Sequence, residues 1–265
     1  MHSYFNTDID IIIQDLETFL STLSLDKDWW KYKKIEEDLK GPLNPSPALD
    51  QFFFNEKIWL SFKDFFKYYL TKNETLLQIM CKNKNMRWEE FLINLEARIY
   101  RTHFGIYTEY NFFFMCQKIF GPESVKRNIN YDLKGVDFSV YHNNIYNIHI
   151  FVDTPIAYFY REKKKTFKNS NQLTGIHIDL PYDKDNKGFI HTCKMLPNGF
   201  VVATETYIKY LKSEMEKNNI KNNNIISIDK TGFVYDSDIQ NKNKTDISIF
   251  KPVIQEEIVE EWMTY

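Results

Sequence analysis

The chain has 265 residues and a mass of 31.9 kDa, with 43% hydrophobic and 26% charged residues. That composition excludes a disordered or collagen-like chain and is enough for one large domain with a substantial core. Thirty-four Lys and Arg against 36 Asp and Glu leave a formal charge of −2, so a nucleic-acid-binding face has to come from local concentration of positive charge. Cys81, Cys116 and Cys193 are far apart and form no C-x-x-C pair, which excludes a zinc knuckle or a disulfide framework and fits a reducing cytoplasm. Residues 1–10 carry two aspartates and no basic stretch, unlike a signal peptide. No run of 18 apolar residues occurs, and the mean hydropathy is −0.48.

In chain order, residues 8–25 place Ile12, Leu16, Phe19, Leu20 and Leu23 at helical spacing. Three prolines in the stretch Gly41-Pro42-Leu43-Asn44-Pro45-Ser46-Pro47 predict a surface loop. A helix is expected over residues 61–70. A better patterned one starts at Trp88, with Phe91, Leu92, Leu95 and Ile99 as its stripe, and continues to Phe120, where Gly121-Pro122 stops it. From Lys134 the pattern turns to strands. Residues 136–141 and 145–153 read as a hairpin around His142-Asn143-Asn144, followed by a basic helix over 156–168. Further strands are expected at 175–181, 189–195 and 199–203, then a helix over 205–217, an Asn-rich loop, short strands, and an acidic helix over 254–262. Together these predict one mixed α/β domain: a mainly helical layer over residues 1–125, then a sheet core and C-terminal part over 126–265.

The hairpin holds the candidate chemistry. Alternation puts Asn147, His149, Phe151 and Asp153 on one face of the second strand. If the turn occupies 142–144, Tyr141 pairs with Ile145, and Asp137 falls opposite His149 on the face that Asp153 shares. A two-residue turn moves Asp137 to the other face. In the first register these groups can gather oxygen ligands for a hard divalent cation. The plainer readings are a solvated aspartate at a strand start, a hydrogen-bonded strand histidine, and Asp153 as the N-cap ahead of Pro155. Arg161, Lys163, Lys164, Lys165 and Lys168 follow as the densest basic run. It is either a solvated helix face or the cationic flank of a phosphodiester-cleaving site. On the long helix, Arg98, Thr102, Gly105, Glu109 and Phe112 share a side, with Arg101 nearby. This is a structural ion-pair stripe, or a way to bring Glu109 to a metal. His177 and Asp179 alternate on their own strand as a lesser candidate pair.

Leu133-Lys134-Gly135-Val136-Asp137-Phe138, followed by Tyr146-Asn147-Ile148-His149-Ile150-Phe151-Val152-Asp153-Thr154-Pro155, resembles the core of the TaqI-type restriction endonucleases. Leu43-Asn44-Pro45, Ala97-Arg98-Ile99-Tyr100-Arg101-Thr102 and Leu196-Pro197-Asn198-Gly199-Phe200 resemble the same family, so the likeness runs from about residue 10 to about residue 215. It implies a restriction-endonuclease-like PD-(D/E)XK fold, a mixed sheet flanked by helices. It also implies a homodimeric, Mg2+-dependent type II enzyme in the cytoplasm, cutting double-stranded DNA at a short palindrome, TCGA, with a cognate DNA methyltransferase as companion. Asp137 matches the first motif acid. The second motif would put an acid and a lysine at His149 and Phe151, where neither stands. Asp153 or Glu109 is then the candidate second metal carboxylate. The missing amine is left to Lys163, Lys164 or Lys165, or its work to His149. Candidate DNA contacts are Arg98, Arg101, Arg161, Lys163, Lys165, Lys168, Asn169, Asn171 and Gln172. The competing functions are a structure-guided repair or recombination nuclease and a catalytically inactive DNA-binding module.

Overall fold

Helix α1 (Ile9–Ser21) begins where the Asp8 carboxylate accepts the Asp10 N–H, and it buries Ile12, Ile13, Leu16, Phe19 and Leu20 as its spacing requires. The computed structural model to which it belongs describes residues 2–3, 8–24, 27–36, 39–128, 135–154, 157, 173–185, 191–217, 220, 224–229 and 232–235. A short ladder joins β1 (His2–Ser3) to β2 (Ile58–Trp59).

The proline-rich stretch is helical and not a surface loop. A 3-10 turn covers Gly41–Leu43, and α2 (Ser46–Asp50) follows with Pro47 in its first turn, where a missing N–H costs nothing. Leu43 and Leu49 are buried, which holds the segment against the core. Helix α3 (Phe62–Asn83) is longer than its pattern promises. The polar run Thr71-Lys72-Asn73-Glu74-Thr75 masks its continuation, yet Leu77 and Cys81 extend the buried stripe begun by Phe65 and Tyr69.

Helix α4 (Trp88–Phe120) ends as expected, at Gly121 with φ 96°. Its C-terminal half is buried nearly all round because it lies between two layers. Tyr110 stacks on Phe53 with ring centroids 4.0 Å apart, and Tyr107 meets Phe19. On the other side Phe112 and Phe113 pack against Tyr182 and Phe138 of the sheet.

That sheet has six strands: β3 (Val125–Lys126), β4 (Phe138–His142), β5 (Asn144–Val152), β6 (Ile176–Tyr182), β9 (Asn224–Asp229) and β10 (Gly232–Tyr235), in the order β10-β9-β6-β5-β4-β3. β3, β4 and β5 form an antiparallel meander, whereas β5–β6 and β6–β9 are parallel. A parallel neighbour requires a crossover, which the chain makes between Val152 and Ile176. Gly175 admits β6 to its place: at φ +120° it lies so close to β5 that a Cβ there would come within 2.6 Å of the Ile145 carbonyl oxygen. A separate hairpin of β7 (Cys193–Met195) and β8 (Val201–Ala203) turns through Pro197-Asn198-Gly199 and packs on α4, where Asn111 Oδ1 accepts the Ala203 N–H at 2.8 Å. Helix α5 (Glu205–Glu216), capped by Thr204, completes the described core. The expected acidic helix at 254–262 and most of the basic helix at 156–168 lie outside the described residues. The architecture is mixed α/β, with an N-terminal helical layer and a restriction-endonuclease-like order of helix, three antiparallel strands, crossover and parallel strand.

Candidate active site

The β4–β5 register places the first acid. Tyr141 pairs with Ile145, and the tight turn is completed by Asn143 at φ 57°, a conformation asparagine tolerates. The ladder runs to Phe138↔Ile148, the register that the longer turn requires, and Asp137 stands just beyond its end. Two hydrogen bonds fix it there: the Asp137 N–H donates to the Ile148 carbonyl at 2.8 Å, and Asp137 Oδ2 accepts the Ile150 N–H at 2.6 Å. The residue is only 4% exposed. Because β4 starts at Phe138 while β5 runs on to Val152, Asp137 stands at a notch in the outline of the paired strands.

Parallel pairing then sets His149 against Asp179, with Nδ1 and Oδ1 3.7 Å apart. Paired residues point to the same side, so His149 and Asp179 share the face away from α4, whose Phe112 and Phe113 pack on Tyr182 and Phe138. The next row on that face is Ser139, Asn147 and His177. Ser139 Oγ donates to Asn147 Oδ1 at 2.7 Å, Asn147 Nδ2 donates to the Thr174 carbonyl at 3.0 Å, and His177 Nε2 lies 3.0 Å from the Leu173 carbonyl. This second row ties the loop before β6 to the sheet.

Glu109 arrives from the α4 side. Its Oε2 accepts from Arg127 Nη1 at 3.2 Å, and the same nitrogen donates to the Asp137 carbonyl at 3.0 Å. Arg127 Nε reaches both oxygens of Asp50 at 3.1 Å, Tyr110 donates to Asp50 at 2.6 Å, and the guanidinium lies over the Tyr110 ring. Burial by itself would lower the Arg127 pKa, but the Glu109 and Asp50 carboxylates outweigh it and hold the group above the usual arginine range. The Tyr182 phenol is pushed up by burial first, then by Cys193, Glu109 and Asp137, so both carboxylates lie within electrostatic reach of one ring. Arg127, Asp50 and Tyr182 were invisible to pattern reading, since no period or motif marks them.

Asp153 ends β5 with its N–H on the Tyr182 carbonyl at 2.8 Å. Beside it, Thr154 Oγ1 accepts the Ala157 N–H at 3.2 Å, the kind of contact a helix cap makes. Asp137, Asp153 and Glu109 do not converge as a cage. Among the described residues no three His, Cys, Asp or Glu side chains are close enough to hold a metal ion. The strand alternation points Asp153 away from α4, which carries Glu109. Arg98 and Arg101 are engaged elsewhere. Arg98 Nε donates to the Glu36 carbonyl at 2.8 Å and its Nη1 to Thr102; Arg101 donates to the Trp29 carbonyl at 2.6 Å and to the Glu36 carboxylate. Both thus fasten the 29–36 segment to α4. Arg161, Lys163, Lys164, Lys165, Lys168, Asn169, Asn171 and Gln172 lie outside the described residues.

The fold and this notch define a nuclease of the mixed-sheet kind, with a first acid at the start of a strand and a helix-borne carboxylate beside it. Residues 13–187 match the family model described as TaqI restriction endonuclease, so the chain belongs to that family and is a restriction endonuclease with DNA as its partner. Two curated relatives bear this out. The type II restriction enzyme TaqI of Thermus aquaticus is 25% identical over 244 residues, covering 78% of this chain and 89% of that protein. The type II restriction enzyme TthHB8I of Thermus thermophilus is 25% identical over 257 residues, covering 83% and 94%. No solved structure gave a significant match.

Proposed function

We propose that the chain is a Mg2+-dependent, homodimeric type II restriction endonuclease of the cytoplasm that cuts double-stranded DNA at TCGA, partnered in the cell by a methyltransferase protecting the same site. The observation that carries this reading is Asp137, held by the Ile150 N–H of β5 on one side and tied through Arg127 to Glu109 on the other. The donor set suits magnesium. That ion is bound through one or two carboxylates and keeps water and substrate oxygens for the rest, so it needs no cage of three side chains. Asp137 would hold it with a second carboxylate, either Glu109, which Arg127 ties to the Asp137 main chain, or Asp153. When bound, Mg2+ polarises the scissile phosphate and lowers the pKa of water.

The chain's own groups do the rest. His149, which faces Asp179 on the neighbouring strand, takes the proton of the attacking water. Lys164 and its basic neighbours offset charge on the phosphate as it develops. The two-fold symmetry of a dimer matches that of a palindromic site. Tested on long unmethylated DNA with Mg2+, wild-type protein is expected to give discrete fragments whose ends map to TCGA, and Asp137→Ala to give none while remaining folded. Fragments mapping to another site would overturn the TCGA assignment. A smear, or cleavage retained by Asp137→Ala, would sink the restriction reading or the role of Asp137 respectively.

A further inference from the structure

We infer that Asp179 is a positioning residue for His149. It fixes the imidazole with the proton on Nδ1, so that Nε2 is the nitrogen left to accept. The inference deepens the endonuclease reading above and rests on the role given there to His149.

The backbone already dictates the encounter. The parallel β5–β6 register pairs His149 with Asp179, and the nearest atoms are Nδ1 and Oδ1 at 3.7 Å. At 7% exposed, Asp179 has lost most of its water, so its contact with the imidazole is screened less than it would be at the surface. A carboxylate facing Nδ1 selects the tautomer protonated there, because that tautomer donates to it whereas the other presents a lone pair. A distance slightly beyond hydrogen-bond length is ordinary for a catalytic pair without its substrate, since such contacts tighten in the reacting complex. The neighbouring row on the same face shows the contrast. Ser139, Asn147 and His177 bond to one another and to the 173–174 backbone, which is structural service. The His149–Asp179 pair lies one step further along, beside Ile150, whose N–H donates to Asp137.

The test uses the full chain labelled with 15N-histidine above about pH 8, where the ring is neutral. Long-range proton–nitrogen correlation, with His149→Gln assigning the signal, reports which nitrogen carries the proton. Wild type is expected to show protonated Nδ1, and Asp179→Asn to shift population to the Nε2 form. Cleavage of DNA is expected to slow about 10- to 100-fold in Asp179→Asn, the scale of losing an orienting partner. The Asp179→Asn, His149→Gln double variant should then be no slower than His149→Gln alone. Wild-type protonation on Nε2, or full additivity in the double variant, would overturn the proposal. Should Asp179→Asn fail to fold, the wild-type tautomer alone decides it. If wild type cuts no DNA, the endonuclease reading falls, while the tautomer measurement, which needs no DNA, still judges the Asp179 contact.

Discussion

A single nitrogen of Arg127 joins the two carboxylate-bearing residues of the notch: Nη1 donates to the Asp137 backbone carbonyl at 3.0 Å and to the Glu109 carboxylate at 3.2 Å. The rest of the guanidinium grips Asp50 of α2, so one buried cation connects the helical layer, the central helix and the sheet. Asp137 is thus positioned through its main chain, while its side chain accepts the Ile150 N–H.

Removing that cation strands two carboxylates. Arg127→Met is expected to destabilise the fold by about 3 kcal/mol, the low end for breaking a buried ion pair, because Asp50 and Glu109 keep some solvent. Adding Asp50→Asn and Glu109→Gln should recover part of that loss, since the buried negative charge goes with them. Urea denaturation of the three proteins measures both steps, and an Arg127→Met protein as stable as wild type would show the network to be dispensable.

Acid should weaken the fold through His103. This side chain is enclosed on α4, its Nε2 3.1 Å from the Leu60 carbonyl, and burial pushes its pKa down to about 3 despite that bond. The folded-state value lies below the unfolded one, so the unfolded chain binds a proton that the native chain does not. The contribution is complete above about pH 6.5 and is lost as pH falls from there toward about 3, at up to about 1.4 kcal/mol per unit. Denaturation curves collected between about pH 7 and pH 4 should be steeper in pH for wild type than for His103→Gln. Equal slopes would place the acid sensitivity in other groups.

Two sets of basic residues should separate in salt. Lys163, Lys164 and Lys165 changed together to Ala are expected to flatten the dependence of DNA affinity on salt, by roughly 0.9 in log–log slope for each phosphate no longer neutralised. Arg101→Ala should leave that slope alone and instead cost about 1–3 kcal/mol of stability, because the 29–36 segment loses its anchor. Titrations at several salt concentrations, paired with thermal melts, read both effects. A flattened slope in Arg101→Ala would return that residue to the DNA surface.

Local pattern was sufficient wherever a residue's surroundings lie within a few positions of it. The α4 stripe with its Gly121-Pro122 stop, the β4–β5 hairpin with Tyr141 paired to Ile145, and the Pro197-Asn198-Gly199 turn are all set by periodicity and turn chemistry. It failed at the 41–47 stretch, where three prolines read as a breaker although Pro47 fits a first helical turn, and at α3, whose polar middle hid its length.

By itself, then, the order of residues determined the mixed helix-and-strand make-up, the family, and the hairpin register that leaves Asp137 at its end, because strand alternation and a hairpin act over short chain distances. Only tertiary packing decided which acids and cations join Asp137 and His149. Asp179 reaches His149 through a parallel crossover admitted by Gly175, and Glu109 reaches Asp137 through Arg127 because α4 is clamped between two layers. Those partners are remote along the chain, and what sets their contacts is the burial of large apolar faces, which no spacing between charged residues encodes.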